Sequence, residues 1–175
     1  MFFSVNELEL RKIAFDTAFA PGTLDLGDPL LSQESPLQVK GLAELVGPIE
    51  EIRVRGHIRG RFASACDRCL ETVSIPVDGD FDLLYMPDAI DSERAEEHAI
   101  QERDTEVGYY CGAGIDLSGV VLEQVLLWMP MHRVCRDDCK GICPVCGQNR
   151  NLVDCGCHQQ RADERWAALK KFSGV

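Results

Sequence analysis

From Ile52 to Phe62 apolar and basic residues alternate without a break. The even positions are Ile52, Val54, Gly56, Ile58, Gly60 and Phe62, and the odd ones are Arg53, Arg55, His57, Arg59 and Arg61. A period of two predicts a strand with one apolar and one basic face. From Val73 to Leu83 the odd positions carry Val73, Ile75, Val77, Phe81 and Leu83, and Asp78, Asp80 and Asp82 fall between them. Folding the two segments about Asp67-Arg68 predicts a hairpin in which paired residue numbers share one sum. Ile52 then faces Leu83, and Val54 faces Phe81. Arg53 meets Asp82, Arg55 meets Asp80 and His57 meets Asp78. A slip of one residue would swap the faces, so this register is well specified. It also sets Cys66 opposite Cys69 at the tip. Pro76 has no N–H for the ladder, which predicts a sheet edge or a bulge there.

Elsewhere the pattern is thinner. Residues 13–19 and 37–46 read as strands, the second ended by Gly47-Pro48. Asp116 caps a helix over 117–129 that is apolar nearly all round, which predicts burial, and Pro130 helps to stop it. Residues 87–106 hold eight acidic and two basic side chains, the mark of a solvated linker. Asp163 caps a last helix whose Trp166, Leu169 and Phe172 line one docking side. The fold class expected is α+β: a mostly antiparallel sheet or partly open barrel, a buried helix, and a small C-terminal zinc-binding lobe. Residues 1–131 form the β-rich body, with the linker at 87–106. Residues 132–175 form the cysteine-rich lobe.

Composition then narrows the setting. The 175 residues are 45% hydrophobic with a net charge of −11. No apolar run reaches the roughly 18–20 residues of a membrane span, and the first residues lack the basic and apolar regions of a signal peptide. The chain is therefore expected in the cytoplasm, without membrane contact. In a reducing compartment nine cysteines suggest metal ligands rather than disulfides. An acidic chain repels phosphate backbones as a whole, so any nucleic-acid contact must be local.

Six cysteines lie between Cys135 and Cys157, and Cys143-Pro-Val-Cys-Gly147 has the form of a zinc knuckle. Eight of the nine cysteines make four close pairs: 66/69, 135/139, 143/146 and 155/157. The preferred partition puts Cys143, Cys146, Cys155 and Cys157 around one Zn²⁺, and Cys66, Cys69, Cys135 and Cys139 around a second. The rival is a single zinc with Cys66 and Cys69 free. His132 and His158 flank the cluster as possible substitutes, and exposed histidines are the plainer reading of both. Cys139-x3-Cys143-x2-Cys146 also has the spacing that holds an iron–sulfur cluster in radical enzymes using S-adenosylmethionine. Those enzymes carry a large barrel after the motif, whereas 29 residues follow Cys146 here.

The run of Cys66-Asp-Arg-Cys-Leu70, Ile115-Asp-Leu117 and Cys139-Lys-Gly-Ile-Cys-Pro-Val-Cys-Gly147 resembles the YceD family. Asn149, Asn151, Cys155, Cys157 and Asp163-x-Arg165-Trp166 fit the same pattern, and the resemblance covers about residues 50–170. It implies a role in making or maturing the large ribosomal subunit, with no enzymatic activity. The partner expected is pre-ribosomal large-subunit RNA or a large-subunit ribosomal protein. Some relatives lack most of the C-terminal cysteines, so the metal would stabilise the fold. Cys111 lies outside the pattern and reads as an ordinary thiol.

Arg59, Arg61 and Arg68 have no acidic partner in the hairpin register, which makes them the candidate contacts for RNA or a partner protein. A solvated strand face is the plainer reading of such charges. Two other functions fit the sequence less well. A zinc-containing regulator of transcription is disfavoured by the acidic balance and by the missing helix-turn-helix or finger spacing. A zinc enzyme keeps an open coordination position, usually with His or carboxylate ligands, whereas four thiolates close a site. No catalytic residues are assigned, and the sequence leaves the oligomeric state open.

Overall fold

The computed structural model describes residues 1–48, 50–88 and 107–157. Most of the acidic linker, His158 and the last helix expected around Trp166 lie outside these residues. The elements are β1 (Phe2–Ser4), α1 (Val5–Leu10), β2 (Ile13–Phe19), β3 (Leu31–Gln33), β4 (Leu37–Val46), β5 (Glu51–Ala65), β6 (Thr72–Pro87), β7 (Val107–Tyr110), β8 (Gly114–Asp116) and α2 (Leu117–Trp128). Contacts divide the chain into two compact units. One is Met1–Ser64 with Thr72–Met131, and the other is Ala65–Glu71 with the residues from His132 onward. The turn between β5 and β6 therefore belongs with the cysteine-rich segment.

The first unit is a six-stranded sheet in the order β2-β4-β5-β6-β7, with β3 pairing β5 beyond the end of β4. β2 and β7 are its two edges, so the sheet is open and not a barrel. β4 runs antiparallel to both β2 and β5, while β7 pairs parallel with residues 84–87 of β6. A second, two-stranded sheet joins β1 to β8. Beyond β5, residues 72–83 of β6 have no described strand partner, so Pro76 does lie on an open edge.

The alternation of the hairpin decides the core. Ile52, Val54, Ile58 and Phe62 are fully buried, as are Leu37 and Val39 of β4, with Ile75, Val77 and Phe81 beside them. Asp116 caps α2 by accepting from the Ser118 N–H. The expected full burial of this helix is not met. Leu117, Val120, Val121, Gln124 and Val125 are buried, but Leu126 is 41% and Leu127 68% exposed. A helix lying on one sheet face buries only one side, whatever its composition.

The charged face departs from the expected pairing in two places. Arg53 forms the expected two-pronged contact with Asp82, at 2.7 and 2.5 Å. His57 meets Asp78 and also Asp80. Arg55 turns instead to Glu44 of β4, whose buried carboxylate Lys12 also grips at 2.5 Å. Arg59 is not free of acid partners, because its Nε lies 3.5 Å from Asp78. β5 is a central strand, so half of its partners come from β4, which a two-strand reading leaves out.

The helix α1 was not expected from the alternation. Its signal is Ser4-x-x-Glu7, in which Ser4 accepts the Glu7 N–H at 3.2 Å as a helix cap does. No described helix is long and apolar enough to cross a membrane.

Candidate metal centre

In the second unit the chain makes the same turn twice. At Cys66-Asp-Arg-Cys69 the Leu70 N–H donates to the Cys66 carbonyl at 2.9 Å, and the Cys66 N–H to the Glu71 carbonyl at 2.8 Å. At Cys143-Pro-Val-Cys146 the Gly147 N–H donates to the Cys143 carbonyl at 2.8 Å, and the Cys143 N–H to the Gln148 carbonyl at 2.8 Å. The residue after the second cysteine is left-handed in both, with φ of 65° at Leu70 and 75° at Gly147. Only the second was legible as a knuckle, because only it carries the glycine that such a turn favours. The backbone closure at the first turn is Cys66 to Glu71, wider than the Cys66/Cys69 pairing expected at a hairpin tip.

A left-handed backbone costs a side chain roughly 1–2 kcal/mol. Leu70 is 64% exposed, so it gains little burial in return. Leu70→Gly is therefore expected to stabilise this unit by about 0.5–1 kcal/mol after glycine's own entropy is subtracted. Thermal unfolding of the full chain with zinc added measures it. A lower midpoint would show that the leucine side chain, not the backbone, is what the turn needs.

The two turns gather eight sulfurs into two fours. Cys66, Cys69, Cys135 and Cys139 form one group, and Cys143, Cys146, Cys155 and Cys157 the other, with all sulfurs of a group within 4.8 Å of one another. This is the partition preferred from the close pairs. It splits Cys139 from Cys143 and Cys146, so the three cysteines of the iron–sulfur spacing do not meet at one point. Cys111 stands apart, exposed, with its thiol 3.1 Å from the Asp88 carboxylate. His132 is exposed and belongs to neither four.

The geometry fits a tetrahedral ion. Zn–S bonds of about 2.3 Å place the corners of a tetrahedron about 3.8 Å apart. The Cys66–Cys139 and Cys69–Cys135 sulfurs are 4.0 and 3.6 Å apart. A disulfide would need about 2.05 Å, and every cysteine is free.

Charge points the same way. Burial pushes the Cys66 thiol up, but N–H groups of Cys69, Arg68 and Cys135 outweigh it and bring it down to about 6. The N–H groups of Cys146 and Val145 likewise pull Cys143 down to about 6. In each four another thiol is pushed up to about 12: Cys135 by desolvation and then by its neighbouring thiols, and Cys157 by the thiols of Cys146 and Cys155. Four sulfurs this close cannot all ionise unless a cation sits among them.

Second-layer contacts hold the first group in place. Asn151 donates to the Cys139 sulfur at 3.3 Å and accepts the Lys140 N–H at 2.8 Å. Asn149 donates to Glu71 at 3.1 Å and accepts the Asn151 N–H at 2.9 Å. Such partners orient ligands as firmly as the ligands orient the metal. Arg68 also acts here. Its guanidinium donates to the Asp137 and Cys139 carbonyls at 3.0 and 3.3 Å, so it ties the loop rather than facing solvent unengaged. Of the three arginines proposed as contacts, Arg59 has Asp78, Arg68 has these carbonyls, and Arg61 has neither an ion pair nor a side-chain hydrogen bond with a described residue.

The chain matches the family described as Large ribosomal RNA subunit accumulation protein YceD over residues 54–173, which span both turns and all eight clustered cysteines. The chain belongs to the YceD family. An uncharacterized protein of Mycobacterium tuberculosis is 31% identical over 91% of this chain and 72% of its own length. The uncharacterized protein YlbN of Bacillus subtilis is 24% identical over 97% of this chain and 93% of its own. A Zea mays protein named Large ribosomal RNA subunit accumulation protein YCED homolog 1, chloroplastic, is 25% identical over 84% of this chain and 56% of its own. No solved structure matches the chain. The Asn149 and Asn151 of the YceD pattern thus have a physical role in this chain, the support of Cys139 and Glu71.

Proposed function

We propose that this YceD-family chain is a non-catalytic factor in biogenesis of the large ribosomal subunit. It acts on pre-ribosomal large-subunit RNA or on a large-subunit ribosomal protein, and two Zn²⁺ ions held by the eight thiolates maintain its second unit. The observation that carries the role is the match to a family named for large ribosomal RNA accumulation, over 54–173. The all-sulfur donor sets support the non-catalytic part. Four thiolates fill a tetrahedral ion's coordination and leave no position for water or substrate.

Depletion of the protein in its own cell tests the role. Large-subunit rRNA is expected to fall relative to small-subunit rRNA, with recovery on expression of the intact chain. Unchanged rRNA ratios and unchanged subunit profiles would contradict it.

A further inference from the structure

The ion pairs on the outer face of β5 run out at one end. Arg53 has Asp82, Arg55 has Glu44, and His57 has Asp78 and Asp80. Arg59 shares Asp78 with His57 through an Nε contact of 3.5 Å, too long for a strong hydrogen bond. Arg61 has no ion pair with a described residue. The aspartates of β6 stop here: position 76 is a proline, and position 74 is a serine whose hydroxyl donates to the Glu34 carboxylate at 2.7 Å.

At that end a groove of about 320 Å³ is lined by Pro36, Gln38, Arg59, Arg61, Pro76 and Asp78 among others. Its size suits one small-ligand unit. The lining itself sets two guanidiniums, Arg59 and Arg61, against the single carboxylate of Asp78, which His57 also engages at 3.0 Å, while the nearby Glu34 carboxylate is held by the Ser74 hydroxyl. Pro36 and Pro76 give it apolar walls without N–H donors, and Gln38 adds an amide that can read a base edge.

We propose that this groove binds single-stranded RNA, with a phosphate on Arg61 and the adjoining nucleotide between the two prolines. The proposal rests on the ribosome-biogenesis reading and names its contact surface. Arginine forks match phosphate oxygens, and exposed single-stranded nucleotides are what proteins recognise in RNA. An acidic peptide fits less well. A strand adding to the open edge of β6 would need the N–H that Pro76 lacks.

The test uses the full metal-loaded chain and a short fluorescein-labelled single-stranded oligoribonucleotide, read by anisotropy over a range of salt. Arg61→Glu is expected to weaken binding roughly tenfold or more at low salt, the scale of one charged hydrogen-bonded contact. Arg61→Gln is expected to lower the slope of log affinity against log salt by about 0.7, the share of one single-strand phosphate. Arg53→Gln, at an ion pair outside the groove, leaves affinity unchanged. Neither Arg61 variant should shift the melting midpoint, because no ion pair is lost. Equal RNA affinity in the wild type and both Arg61 variants overturns the proposal. So does no RNA binding at all, or a polyglutamate peptide that displaces RNA and binds more tightly. Arg61-dependent binding alongside normal rRNA ratios after depletion would contradict the biogenesis reading alone.

Discussion

Stripping metal with a chelator is expected to unfold Ala65–Glu71 and residues 132–157 while the sheet survives. Among the described residues the second unit has almost no hydrocarbon core. Its buried apolar side chains are Cys66, Cys69, Cys139 and Cys143, whereas Val145, Leu152 and Val153 are exposed. In the proposed zinc-bound protein, thiolate–metal bonds would do what burial does elsewhere, and a structural zinc site supplies on the order of 10–16 kcal/mol to a small domain. The first unit has Ile52, Val54, Ile58, Phe62, Leu37 and Val39 fully buried, a hydrocarbon core of its own. Hydrogen exchange with and without chelator should show protection lost in the second unit and kept in β4 and β5. Cys66→Ser should shift the same amides in the same direction. Protection kept throughout would show that the cysteines do not hold the unit together. Protection lost throughout would show that the sheet depends on the metal as well.

Gly41→Ala is expected to be the most damaging single methyl addition in the six-stranded sheet, at about 3 kcal/mol. Gly41 and Gly56 are direct partners across β4 and β5. A Cβ on Gly41 would stand 2.2 Å from the Arg55 carbonyl oxygen, 2.7 Å from the Gly56 Cα and 2.7 Å from the Phe15 ring. Two of these are backbone atoms of a central strand, which cannot turn aside as a flexible side chain would. The aromatic tips of Phe15 and Phe81 occupy the space the missing methyl groups leave above the two glycines. Denaturant unfolding of the metal-loaded protein reads the loss. A loss under about 1 kcal/mol would mean that the strands separate more easily than this packing implies.

The long elements were legible because one physical rule governed each. Strict alternation defined β5, and its apolar set is the buried set. Residues 13–19 and 37–46 are strands with the bounds read from their flanking turns. The grouping of eight cysteines followed from counting close pairs, since each tight pair can offer two sulfurs to one ion. What stayed hidden depended on neighbours distant in sequence. β1 and β8 have three residues each, too few for a period, and they exist by pairing with one another. β7 is a parallel edge strand whose register follows a long acidic connection. Arg55 found Glu44 because a central strand has two neighbours. Arg68 looked like an exposed contact residue, and its guanidinium instead reaches carbonyls some seventy positions away. Leu70 hid the first turn because a leucine does not announce a left-handed backbone. Gly56 was the visible hint of close strand approach, a common meaning of glycine inside a strand.

Elemental analysis of protein purified without chelator tests most directly whether the two sulfur clusters are zinc sites. Two equivalents of zinc for each chain are expected, removed together with the fold of the second unit. One equivalent would contradict the two-site partition, and a chain that is folded and free of metal would contradict zinc binding itself.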